Sequence, residues 1–180
     1  MKAKFFAYCL LPIAYCLSSC GSQKTNTERE KIISQIDSIG KIMFDKKNMT
    51  LDKNLADKGI LAYKDFVKKY PNDSLSAEYL FRMADLQRAV NDNRNAIVSL
   101  AEICNKYPDY KKVPDCLFLQ GYYYQEFFKD TISAKTFYQE LIAKYPTHAF
   151  VDDAKAMMSM FGKSEEEIIK GFEQQQSAKK

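Results

Sequence analysis

Between residues 51 and 161 apolar side chains recur every three or four positions, and the recurrence breaks three times at one triplet. Lys69-Tyr70-Pro71, Lys106-Tyr107-Pro108 and Lys144-Tyr145-Pro146 stand 37 and 38 residues apart, a period of solenoid length. Thirteen residues after each proline stands a small residue: Ala84, Gly121 and Ser159. Twelve residues before each stands another: Gly59, Ala96 and Ala134. Stripes such as Ile97, Leu100, Ile103 and Cys104, or Phe137, Leu141 and Ile142, have helical spacing. The pattern predicts helical hairpins whose two helices, A and B, cross at the small residues. Tyr63, Leu100 and Tyr138, four places on, fill the layer between units. Proline ends helix B because its ring cannot continue the hydrogen-bond ladder and it pushes the preceding residue out of the helical region.

This reading places helices at 29–46, 51–69, 75–90, 93–106, 113–128, 131–144, 149–161 and 164–175. Asn72-Asp73-Ser74 and Asp130-Thr131 supply capping side chains, Pro114 sits in a first turn, and Ser164 with Glu167 matches a capping box. The first pair is degenerate but keeps one apolar stripe, Ile32, Ile36, Ile39 and Met43. The last pair reads as a terminal cap shielding the end of the core. The expected fold is all-α: antiparallel hairpins stacked as a short solenoid of about three to four repeats over residues 29–175, with a frayed tail at 176–180.

The first nineteen residues follow a different logic. Lys2 and Lys4 precede an almost wholly apolar run from Phe5 to Leu17, and the chain turns polar after Cys20. That is the order of a secretory signal. The apolar run makes a helix of about 20 Å, short of the roughly 30 Å hydrocarbon core. Leu17-Ser18-Ser19-Cys20 resembles the lipobox of bacterial lipoproteins. The resemblance implies cleavage before Cys20, a covalent diacylglycerol with further acyl chains (palmitate) on its thiol, and anchoring in the outer membrane. No acidic residue occurs from Gly21 to Thr25, which favours the periplasmic face. Residues 20–28 read as a lipidated flexible tether.

The small-residue sites and closing proline resemble the tetratricopeptide repeat (TPR). The longer period, and the run from Tyr70-Pro71-Asn72-Asp73-Ser74 to Leu80-Phe81-Arg82-Met83-Ala84, are similar to BamD-like outer-membrane assembly lipoproteins and Tol-Pal-associated repeat proteins. Such a resemblance implies a protein-binding adaptor working with envelope proteins or peptides, in β-barrel assembly or in coordinating the Tol-Pal and cell-wall machinery.

Charge and chemistry narrow the field. The net charge of +4 falls to +2 without Lys2 and Lys4, so nucleic-acid binding has no basic block to rest on. Only Cys104 and Cys116 remain in the mature chain; they are buried apolar thiols or, less in keeping with helix spacing, a disulfide. No C-x-x-C occurs and His148, expected to face solvent, is the single imidazole, so neither a metal site nor another cofactor is expected. No nucleophile elbow, phosphate loop or dinucleotide glycine pattern is present, and no enzyme is expected. The aromatic run Phe118, Tyr122, Tyr123, Tyr124, Phe127 and Phe128 admits two readings: packing between repeats, or a platform for glycan or peptidoglycan. If helix A lines the concave surface, its outward stripes are Glu78, Phe81, Asp85 and Arg88 in one unit and Asp115, Phe118, Tyr122 and Gln125 in the next, residue types that build protein-binding grooves.

Overall fold

The computed structural model describes residues 20–43 and 51–177. Eight helices follow one another: α1 (Cys20–Met43), α2 (Lys53–Lys69), α3 (Ser76–Ala89), α4 (Asn93–Lys106), α5 (Val113–Phe128), α6 (Thr131–Lys144), α7 (Val151–Ser159) and α8 (Glu165–Ser177). No strand occurs among the described residues. Each helix from α1 to α6 packs on its successor, so the chain is the expected all-α stack of antiparallel hairpins.

The helix Bs α2, α4 and α6 each open on an aspartate. Asp52 accepts from the backbone N–H of Asn54 at 2.8 Å, Asp92 from Asn95 at 3.4 Å, and Asp130 from Ile132 and Ser133 at 3.1 and 3.0 Å. These three also close on the tyrosine of the triplet. Tyr70, Tyr107 and Tyr145 share φ near −130° and ψ near 58°, and their N–H groups donate to Phe66, Ile103 and Leu141. The turn that follows repeats as well. The third residue beyond each tyrosine (Asp73, Tyr110, His148) donates its N–H to the tyrosine carbonyl, and the sixth (Ser76, Val113, Val151) donates to the third. A proline that forbids helix, followed by two successive turns, reverses the chain with the same hydrogen bonds three times.

The small residues lie at the crossings. Ala84, Ala96 and Ala134 are fully buried, as are Gly59 and Gly121. Tyr63, Leu100 and Tyr138 are buried in the interleaving layer, as the spacing requires. Ser159 departs from the pattern: it is exposed at the last residue of α7, and its hydroxyl bonds the Ala156 carbonyl of its own helix. Ala154 takes the buried place instead.

Two ends differ from expectation. The stretch 20–28, expected as a tether, begins inside α1, because nothing from Cys20 to Arg29 carries a proline to stop helix propagating outward from Ile32 and Ile36. The last pair does not cap the core as a hairpin. Helix α7 covers α6 with Val151 and Ala154, whereas Ile168 and Ile169 leave α8 with no buried side chain among those described. The capping box of Ser164 and Glu167 still forms, at 2.8 and 3.3 Å, so α8 is a well-started helix with no buried residue among its described side chains. The signal-like residues 1–19 and the tail from 178 lie outside the described residues, and residues 176 and 177 extend α8 rather than fray.

Candidate partner groove

The outward stripes of α3 and α5 divide into two halves. The halves nearer the helix starts are occupied by the neighbouring unit. Glu78 receives the Tyr110 hydroxyl at 2.5 Å, Lys112 Nζ at 3.1 Å and, from its own helix, Arg82 Nε at 2.9 Å. Burial alone would raise its carboxyl; these three donors hold it at about 2 instead. Burial and the bond to Glu78 push the Tyr110 phenol well above its ordinary range. Lys112 also stands 4.3 Å over the Phe81 ring. One repeat on, Asp115 lies 3.7 Å from His148 Nε2, and Phe118 stacks on Phe150 at 4.5 Å. Gln125 reaches the Tyr138 hydroxyl and the Met157 sulfur.

Glu78, Phe81, Asp115, Phe118 and Gln125, expected to face outward in the groove, are half-buried and each contacts the neighbouring unit. His148 is half-buried, not solvent-facing, and its Nδ1 accepts from the Phe150 N–H at 3.3 Å. It is the third member of a series. The third residue past each triplet tyrosine reaches back to the preceding A helix: Asp73 to Arg29 at 2.6 and 3.1 Å, Tyr110 to Glu78, and His148 to Asp115. Sequence reasoning missed this clamp. The signal was a polar, hydrogen-bonding residue at one repeat position, hidden because three different side chains fill it.

Toward the helix ends the α3 stripe is open. Asp85 and Arg88 are exposed and Tyr122 is half-buried. Asp85 also borders a cleft of about 490 Å³ between α1 and α3. Its floor is Ile36, Met43, Tyr63 and Leu86; its rim carries Asp37 and Lys41 on α1 and Arg82 and Asp85 on α3. A Cβ on Gly40 would meet no atom within 4 Å, so the α1 backbone lines the opening directly.

The aromatic run is spent on packing. Tyr123 is 1% exposed, and burial pushes its phenol up to about 12. Tyr124 stacks on Phe137 at 5.5 Å, and only Phe127 of the set is exposed. Three consecutive tyrosines step around the helix as geometry demands, one into the core and two half-buried. The triplet lysines end the B helices and pair with acids one turn back: Lys69 with Asp65, Lys106 with Glu102 and Lys144 with Glu140. Cys104 and Cys116 are free thiols on adjacent helices.

No curated protein matches the chain. Residues 78–110 and 115–148, which begin on the repeat-equivalent Glu78 and Asp115 and each run through a complete hairpin and its clamped turn, match the tetratricopeptide repeat family.

Proposed function

We propose that this chain is a lipid-anchored adaptor of the bacterial envelope that docks a peptide or helix of another envelope protein in the α1–α3 cleft. The cleft carries the reading: an apolar floor, a rim of both charge signs and a backbone-lined opening, adjoining the open half of the α3 stripe at Asp85 and Arg88. Repeats of the tetratricopeptide type favour a binding scaffold over an enzyme. A partner segment would seat apolar side chains against Tyr63 and Leu86 and match Asp37, Lys41 and Asp85 at its edges.

The location rests on the amino-terminal sequence. The charged start, the apolar run and Leu17-Ser18-Ser19-Cys20 support a diacylglycerol anchor with acyl chains on Cys20, and the absence of early acidic residues supports the periplasmic face of the outer membrane. Among the described residues no helix is long and apolar enough to cross a membrane. Tethering raises the local concentration of the groove near membrane-bound partners. The resemblance to BamD-like and Tol-Pal-associated proteins supports β-barrel assembly or envelope coordination as the setting.

A photo-cross-linking residue at Gly40 in whole cells should trap a discrete envelope protein, and Asp37→Lys with Asp85→Lys should abolish the adduct while helicity is retained. An adduct unchanged by the charge reversal would sink the cleft assignment. Cys20→Ala should move the protein from the membrane fraction to the soluble one; retention there would overturn the anchor.

A further inference from the structure

The joint between the two matched repeats differs from its neighbours in one respect. At the positions three before and nine after the triplet tyrosine, the first joint carries Val67 and Tyr79 and the third carries Ile142 and Ala154. The middle joint carries Cys104 and Cys116. All six are buried or half-buried, so apolar side chains serve the packing there, and thiols add chemistry rather than volume.

The two cysteines are unequal and in contact. Cys116 has no exposed surface, whereas Cys104 is half-buried and open on one side. Each thiol is the largest single influence on the ionisation of the other. Gln120, itself 1% exposed, sends its amide Nε2 to Cys104 Sγ at 3.6 Å and to the Cys116 carbonyl at 3.1 Å. A buried amide directed at a sulfur stabilises negative charge on it. The neighbouring Cys116 thiol, opposed by burial and assisted by Gln120, lowers the Cys104 thiol from its ordinary range, and Cys104 together with burial raises that of Cys116. One thiol is reachable and ionised first; the other waits behind it.

We propose that Cys104 and Cys116 are a dithiol that closes into a disulfide by exchange with an external low-molecular-weight disulfide, locking α4 to α5 at the joint between the two repeats. Cys104 attacks as the thiolate, forming a mixed disulfide and releasing one thiolate of the oxidant. Cys116 then attacks Cys104 Sγ, displacing the second thiolate. The two cysteines lose two electrons and two protons, and both appear on the oxidant as two thiols. Gln120 is a positioning residue, holding Cys104 Sγ beside Cys116.

The full chain in mild detergent, equilibrated with glutathione buffers from reducing to oxidising, then alkylated and digested with trypsin, tests this directly. Residues 95–106 and 113–129 emerge as separate peptides, each with one of the two cysteines and none of the other three. The expected product is these peptides linked to each other, two hydrogens lighter, formed without denaturant. Cys116→Ser should instead accumulate glutathione on Cys104, because the resolving thiol is gone. Gln120→Leu should slow linkage several-fold with the helical signal unchanged. Recovery of both peptides unlinked from the oxidised wild type, linkage only after denaturation, or linkage of either to Cys9, Cys16 or Cys20 would each overturn the proposal.

Discussion

Tyr110 donates its hydroxyl to Glu78 at 2.5 Å across the joint between two units, and the carboxylate is held there by Arg82 and Lys112 as well. The acid therefore sits near 2 in the folded chain, against an ordinary 4.5. A folded value below the unfolded one favours the folded state only while the group is ionised. This contribution is complete above about pH 4.5 and is lost as the pH falls toward 2. Glu78→Gln should cost roughly 1–3 kcal/mol at pH 7, because it strips charge from three donors in a half-buried site. Denaturant titrations of both proteins between pH 7 and pH 2.5 should show the gap narrowing through that window. A gap independent of pH would mean the joint does not depend on the carboxylate.

Two buried glycines should respond unequally to alanine. A Cβ on Gly121 would lie 2.6, 2.8 and 3.0 Å from three atoms of the Tyr138 ring. That ring is fully buried and flanked by Phe118 and Phe161, so it has nowhere to go. Gly121→Ala should destabilise by about 1–3 kcal/mol despite the better helix propensity of alanine. On Gly59 the one close approach is 2.9 Å to Leu86 Cδ1, the end of a flexible side chain bordering the cleft. Gly59→Ala should stay within about 1 kcal/mol of wild type, the propensity gain offsetting a small rotation of Leu86. Equal losses at the two sites, measured by urea denaturation, would refute this account of the crossings.

The same contrast shows what was legible in the sequence. Spacing alone located the glycines, the tyrosine layer, the hairpin order and the prolines, because each is forced by backbone geometry repeated at a fixed period. The open groove was not legible. Glu78, Phe81, Asp115 and Phe118 point outward from their own helices, and a helical wheel therefore marks them as free. What covers them is a turn 31 to 34 residues away, placed by the successive turns after Tyr107 and Tyr145, which no single-helix pattern encodes. Ser159 misled for a related reason: it has the right offset from Pro146, but α7 ends there and α8 does not fold back to bury it.

Helix α8 should be dispensable to the fold. Its described side chains are exposed or half-exposed, and Gly162, at φ +77°, lies in the turn that separates it from α7. Removing residues 164–180 should change stability by no more than about 0.5 kcal/mol, roughly 1–2 °C in Tm. A drop of 5 °C or more on thermal unfolding would show that α8 caps the core after all.

The tight A-to-B turns carry strain at one repeat position. Asn91 ends α3 with φ +66° and Lys129 ends α5 with φ +54°, and the two are 38 residues apart. Asparagine tolerates the left-handed region; lysine, with a full side chain and no local hydrogen bond to offer, does not share that tolerance. Lys129 is exposed, so its replacement disturbs no core contact. Lys129→Asn and Lys129→Gly should therefore both stabilise the protein, by about 0.5–1 kcal/mol for glycine after the entropy it restores to the unfolded chain is deducted. Asn91→Lys should do the reverse at the equivalent turn. Thermal unfolding of the three variants side by side checks the argument, and a stability gain from Asn91→Lys would show that this turn position carries no left-handed penalty.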